Sequence, residues 1–406
     1  MIPRRKPRFY RGQLFDIARF FLSSKVCQGE YIEAFEKRFA EYIGCKFAIA
    51  TPSGKKGMEL LLEACNLQKG DEIIIPAYTL KALVDLITKK GFVAKLGDID
   101  EGSFNINPQA IEALISPGTK VILATHLFGL PCNLRDIERI AEKYNLKVIE
   151  DCAHAAGSEY ENKKVGSGHD SFFSLEFIKN LNTFGGGVVT TNDGQTADFI
   201  RKRISKLPFS RASLFKRVLF CYLEYFLTVT PFFYLFAFLF SFKASADLID
   251  RFYLFLSHKA RAGEYGFTNL QAFIGLKLLA RLDKANEIRK KNAASLSKYL
   301  KGSKYLALQD DALANCGRTY YYYVIRILSN SLNLYRLRRR LLFQGVDCGI
   351  YSEITNNCAI GLNGNYLSVN KVYANAIQLP IFDNMRESHI KKISRALSEL
   401  SDVLER

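Results

Sequence analysis

The sequence predicts an α/β protein, with a large domain on a mostly parallel seven-stranded sheet and a smaller C-terminal α+β domain. Three observations predict it. Seven short β-rich runs alternate with amphipathic helical stretches between about residues 35 and 205. The texture changes after about residue 264, where long helical patterns enclose a strand-like run. At 406 residues the chain is also long enough to divide into more than one lobe.

The runs are KFAIAT (46–51), DEIIIP (71–76), VAKLGDI (93–99), KVILATH (120–126), LKVIED (146–151), DSFFSL (170–175) and GGVVTT (186–191). Most are apolar nearly throughout, as strands covered on both faces are. Between them GMELLLEACNL and NLRDIERIAEKYN read as helices, the second with Asn133 as N-cap. The tail has a helical pattern from Asn269 to Leu300 and a strand-like YYYYVIRIL (320–328). A basic helix, NLYRLRRRLLFQGV, and a closing helix, RESHIKKISRALSELSDVL, follow. The expected division is 1–210 for the N-terminal segment and large domain, 211–262 for a hydrophobic insertion, and 263–406 for the long helix and small domain.

The nine cysteines contain no CxxC pair, which argues against a zinc ribbon or disulfide framework and fits a reducing compartment. No metal site is expected. MIPRRKPRFYRG is basic but lacks the apolar run of a secretory signal. A net charge of +17 suits nucleic acid, anionic lipid or a phosphorylated substrate alike. With basic residues spread along the chain and no nucleic-acid motif, nucleic acid is not the expected partner.

In parallel sheets ligands sit beyond the strands' carboxyl ends. Ser53-Gly54, Tyr78-Thr79, His126, Asp151, His154 and Ser174 all fall there. The run VIEDCAH (148–154) shows it best, since an apolar strand ends abruptly in carboxylates and an imidazole. Lys179 follows Ser174 by five residues and precedes Gly185-Gly186-Gly187. Alone it reads as a surface lysine; with Asp151 the pattern is more specific. An amine for a Schiff base, a carboxylate for a pyridinium proton, and a hydroxyl with backbone amides for a phosphate are what pyridoxal phosphate requires.

The chain resembles the DegT/DnrJ/EryC1/StrS sugar aminotransferases, which are fold-type-I pyridoxal-phosphate enzymes. GEYIEAFEKRFAEYIG, GDEIIIPAYTLKA, DIDEGSFNINPQAIEALI, THLFGLPCNLRDIERIAEKYNLKVIEDCAHAAGSEY, SFFSLEFIKNLNTFGGG, NLQAFIGLKLLARLD and ANAIQLPIF carry the resemblance, in family order over most of the chain. It implies Lys179 as the cofactor-bonding lysine and Asp151 as partner of the ring nitrogen. It places His154 near the ring hydroxyl, Ser174 on the phosphate, and Ser53-Gly54 at the start of the phosphate loop. It also implies a homodimer that takes an amino group from a donor such as glutamate to a keto-sugar on a nucleotide or lipid phosphate, in envelope polysaccharide or glycolipid biosynthesis. Sugar dehydratases of similar sequence carry His in place of this lysine, so Lys179 favours transamination.

Four departures cluster around phosphate and substrate. Lys55 stands where the family has Thr, and Leu80 where it places an aromatic over the ring. Phe184 precedes a glycine triplet that replaces GEGG. Gly263-Glu264-Tyr265-Gly266-Phe267 replaces a loop with Asn and Arg. They leave a second reading, a non-catalytic membrane-associated relative serving as a partner protein.

The segment 217–243 is crowded with Phe and Tyr and holds one acid, Glu224. It reads as buried helices or a subunit interface, or as membrane contact. It exceeds the ~20 residues a crossing needs. A single crossing, however, would strand the lobes on opposite sides although they must fold together, and Pro231 splits the run. A hairpin dipping into one leaflet is expected, with basic ends and the basic N-terminus on anionic head groups. That would make a cytoplasmic enzyme attached to the inner face of the membrane.

Overall fold

The structure is a computed structural model and describes residues 1–229, 265–309, 316–328, 333–362, 364 and 366–404. The large sheet contains β1 (Phe47–Thr51), β2 (Glu72–Pro76), β3 (Val93–Gly97), β4 (Thr119–Thr125), β5 (Lys147–Asp151), β6 (Asp170–Ser174) and β7 (Gly187–Thr191). Each predicted run forms its strand. The order is β1-β7-β6-β5-β4-β2-β3, and every pairing except those of β7 is parallel.

Alternation along the strands sends successive side chains to two cores. Ile73, Ile75, Leu123 and Ile149 pack with Met58 and Leu61 of α3 (Gly54–Ala64). Ile74, Ile122 and Val148 pack with Ile137 and Ile140 of α6 (Leu134–Tyr144). Asn133 does cap α6, its side chain accepting from the Asp136 amide. A third cluster joins Ala48, Ala50 and Val188 to Phe35 and Phe39 of α2 (Tyr31–Ile43) and to α9 (Asn269–Leu279).

The antiparallel β7 matters most for function. Its first residue pairs with the last residues of β1 and β6, Gly187 lying opposite Thr51 and Ser174. The glycine triplet therefore arrives at the carboxyl edge of the parallel strands.

The smaller sheet has order β8-β9-β11-β10, from β8 (Leu306–Leu308), β9 (Tyr323–Ile327), β10 (Gly349–Ile350) and β11 (Ala376–Leu379). α10 (Leu282–Leu300), α11 (Leu334–Phe343) and α13 (Glu387–Leu404) supply apolar partners such as Leu296, Leu341 and Ile393. Two expectations need correction. The helix predicted from Asn269 to Leu300 breaks at Ala280–Arg281, where Arg281 leaves helical geometry at φ −121°, ψ 7°. The tyrosine run is not all strand: only Tyr323 belongs to β9, and Tyr320 takes a left-handed backbone at φ 50°.

The N-terminal arm, expected to meet lipid, is instead tied into the small domain. The Ile2 N–H donates to Gly345 O, and Ile2 O accepts from Asp347 N–H. Arg4 pairs with Asp347 and Glu353, and these carboxylates also pair with the buried Arg338. Arg8 pairs with Asp383.

The apolar segment begins within α8 (Arg211–Val229), which starts before 217. Leu214, Val218 and Cys221 are buried in the third core, and Tyr222 stacks on Phe9 at 5.0 Å. The opposite face exposes Phe215, Leu219, Leu223 and Phe226. Arg217, read as a basic end, lies half-buried against Gly185. Among the described residues no helix is long and apolar enough to cross a membrane. The predicted hairpin beyond residue 229 lies outside the described residues.

Candidate active site

β1, β6 and β7 build a cradle of backbone. Ser53 caps α3 by accepting from the Lys56 N–H at 3.1 Å, and Ser53 bridges to Gly186. A Cβ on Gly54 would lie 3.2 Å from the Ser174 Cβ, and one on Gly187 only 2.5 Å from the Gly54 nitrogen. The three segments pack so closely that only glycine fits, at φ +116° for Gly185 and +106° for Gly186. The leading amides of α3 have no partner within the helix, which favours an anion there.

Asp151 ends β5, beside Thr125 at the end of β4. It is buried, and its Oδ1 accepts from the Ala153 N–H at 3.0 Å. Burial raises its pKa, while the Ala153 N–H, Lys179 and His126 oppose the rise. His126 sits underneath, its N–H on Asp151 O and its Nε2 2.8 Å from Glu150 Oε2. Its Nδ1 accepts from the Cys132 N–H, so the Nε2 proton is directed at Glu150. His126, Glu150 and Cys152 cluster closely enough to suggest a metal site. With both His126 nitrogens occupied, the cluster is a hydrogen-bonded support for β5.

Lys179 lies in the loop after β6, its Nζ 4.5 Å over the Tyr321 ring. Burial, reinforced by Arg5, depresses its pKa to about 7 against the opposing pull of Asp151 and Glu176. Amine and Asp151 carboxylate thus lie close enough to act on each other's ionisation. His154 stacks on Tyr321 at 4.2 Å, and its Nδ1 accepts from the Phe128 N–H at 3.4 Å. Burial, Lys179 and Arg5 hold its pKa well below the ordinary value, so the imidazole is neutral.

The structure thus brings Lys179, Asp151 and His154 together, and Ser53, Gly54 and Ser174 together at the neighbouring cradle. Lys55 is exposed in the first turn of α3, and Leu80 is 56 % exposed just before α4 (Lys81–Lys89). Three residues were missed by sequence reasoning. Tyr321 and Tyr322 stack at 4.1 Å, and Arg5 lies over Tyr322 at 4.8 Å. Their run crosses from the small domain, the Tyr321 N–H donating to Phe128 O. Four consecutive tyrosines, the last of them opening a five-residue strand, were the available signal.

The residues present suit pyridoxal phosphate. Thr125 Oγ1, opposite Asp151 at the sheet edge, and Asn180 Oδ1, in the residue after Lys179, are buried without hydrogen-bond partners. The glycine cradle offers amides at a helix start, and the neutral-prone amine faces a fixed carboxylate.

A sheet-edge amine–carboxylate pair beside a glycine cradle defines the class: a fold built for a carbonyl cofactor with a phosphate. The chain belongs to the DegT/DnrJ/EryC1/StrS aminotransferase family, whose model matches residues 14–217 and 245–398. Aminotransferases of this family use pyridoxal phosphate. The stretch between the two matched regions corresponds to the apolar insertion. The chain is 41% identical over 174 residues to GDP-perosamine synthase of Caulobacter vibrioides, covering 43% of this chain and 47% of that protein. It is 41% identical over 172 residues to dTDP-3-amino-3,6-dideoxy-alpha-D-galactopyranose transaminase of Aneurinibacillus thermoaerophilus, covering 42% and 47%. The chain thus spans about half the length of the curated relatives it matches. A putative sugar aminotransferase of Streptococcus pneumoniae, solved in its PLP form, shares the fold with TM-score 0.77 at 19% identity, covering 99% of both chains.

Proposed function

We propose that the chain is a pyridoxal-phosphate-dependent aminotransferase that moves an amino group from glutamate to a keto-sugar carried on a nucleotide or lipid phosphate. It would serve envelope polysaccharide or glycolipid biosynthesis. The observation that carries this reading is a half-buried lysine with a pKa of about 7 beside a buried carboxylate at the sheet's carboxyl edge.

When bound, pyridoxal phosphate supplies an electron sink that lets a proton leave the donor's Cα. Lys179, about half uncharged at pH 7, would bond the cofactor aldehyde with loss of water, be displaced from it by the donor's amine, and then, freed, take up and return that proton. Asp151 would hold the ring nitrogen's proton by its negative charge. Neutral His154 would offer a hydrogen bond beside the ring without competing charge. Ser174, the Ser53-Gly54 turn and Lys55 would receive the phosphate, and Leu80 would lie over the ring in place of an aromatic. Both curated relatives are named for nucleotide sugars, which supports that carrier class here. Half-reactions of the amino-loaded protein with keto-sugar nucleotides test it; amino transfer to none of them would reject the sugar assignment. Glutamate as donor and a homodimer complete the proposal.

Membrane attachment belongs to the same proposal. α8 has a buried face and a separate exposed stripe of Phe215, Leu219, Leu223 and Phe226. The edge-on contact of Phe21 with Phe215 sets α1 (Gln13–Leu22) alongside, and α1 exposes Leu14, Phe15 and Leu22. Exposed apolar faces of this kind mark interaction surfaces. The sequence runs on from this stripe into further apolar residues, and the chain is basic, so the occupant proposed is an anionic membrane surface. The exposed Leu80 is the observation favouring a non-catalytic relative, and binding of the cofactor separates the two readings.

A further inference from the structure

We infer that Arg5, delivered by the N-terminal arm, receives the α-carboxylate of the amino donor. This rests on the aminotransferase reading and adds the residue that recognises the donor's acid group.

Arg5 and Lys179 lie against one aromatic pair. The Arg5 guanidinium is 4.8 Å from the Tyr322 ring centre, and the Lys179 amine is 4.5 Å from that of Tyr321. The two rings stack at 4.1 Å, and His154 stacks on Tyr321. Both groups also lower the pKa of His154, and Arg5 lowers that of Lys179.

Arg5 differs from its neighbours in what satisfies it. Arg4 and Arg8 each pair with acids. Arg5 donates to a neutral acceptor, Glu353 O at 2.6 Å, and its Nε is buried without a partner. Among the described residues no carboxylate lies within ion-pair distance of it. A permanently charged guanidinium without a dedicated acid favours an entering anion.

The arm is held as a binding element should be. The Ile2 bridge and the cluster of Arg4, Arg338, Asp347 and Glu353 fix the backbone just before Arg5. Side-chain freedom is then lost before the ligand arrives.

Position selects the ligand. In an amino acid the carboxylate is bonded to the carbon that bears the reacting amine, so its partner must stand near Lys179. The phosphates of a sugar nucleotide hang from the anomeric carbon, bonds away from the reacting ketone. A planar, permanently charged guanidinium matches a carboxylate in two-point contact.

The experiment compares wild type, Arg5→Lys and Arg5→Gln in the donor half-reaction, using L-glutamate and 4-aminobutanoate, which lacks the α-carboxylate. Maleate binding by calorimetry gives a readout independent of turnover. Arg5→Gln should raise the glutamate KM roughly tenfold to a hundredfold, weaken maleate comparably, and leave 4-aminobutanoate little changed. Arg5→Lys should fall between. An unchanged glutamate KM and maleate affinity in a folded Arg5→Gln overturns the inference. Equal losses for both donors also overturn it, because they show a structural role. If the wild type releases no amino group from any donor, the aminotransferase reading fails instead, and the maleate comparison still decides whether Arg5 binds carboxylates.

Discussion

The site strongly controls the ionisation of Lys179. The ordinary lysine value is 10.5, and burial lowers this one to about 7. At pH 7 about half the amine is then uncharged, against roughly one in three thousand for an ordinary lysine, a gain of about a thousandfold. Asp151 opposes the depression, so Asp151→Asn should lower the midpoint further. An opposite charge at close range is worth ~1–3 units, and the lower end is expected here because desolvation dominates. Competitive labelling with acetic anhydride, read by mass spectrometry of the Lys179 peptide, gives reactivity against pH. The sign extends to stability. The folded-state pKa lies below the unfolded one, so between about 7 and 10.5 the unfolded chain binds the extra proton. Stability should therefore rise with pH across that window, and Lys179→Met should abolish that contribution to the slope. A labelling midpoint near 10, or an upward shift in Asp151→Asn, would refute the reasoning.

Three further outcomes follow from the packing. Asp or Ser at Phe215, Leu219, Leu223 and Phe226 should abolish flotation with anionic vesicles while leaving the fold intact; unchanged flotation would remove α8 from the membrane proposal. Deleting 217–243 is a poorer test, since it removes Val218 and Cys221 from the core. Glu353→Gln leaves Arg4 and Arg338 short of an acid partner and should cost about 3–5 kcal/mol in denaturant unfolding; a loss below ~1 kcal/mol would show that the cluster relaxes. Gly186→Ala adds a Cβ 2.5 Å from the Phe267 ring at φ +106°, and should lower Tm and weaken cofactor affinity; wild-type values for both would contradict the tight cradle.

Much of the fold was legible because a parallel sheet covered on both faces writes itself as apolar runs. KVIED and GVVTT appear as strands almost to the residue. Asp151 and Lys179 were legible because costly polar groups at strand ends stand out against such runs. The break at Ala280–Arg281 was not, since neither residue is a helix breaker; Asp283, in the first turn of α10, was the faint sign of a new start. Tyr321, Tyr322 and Arg5 were hidden for another reason. Their roles depend on contacts between residues hundreds of positions apart, and on a positive φ at Tyr320 that tyrosine rarely adopts. Arg5 in particular reads as one more charge in a basic leader until Ile2 and Arg4 pin the arm to the small domain.

The central claim is covalent: Lys179 carries the cofactor. Purified protein mixed with pyridoxal phosphate, reduced with borohydride and digested should show the pyridoxyl mass on the peptide containing Lys179, with a visible absorption band before reduction that Lys179→Ala lacks. A pyridoxyl group found only on other lysines, or no band in the wild type, would contradict it.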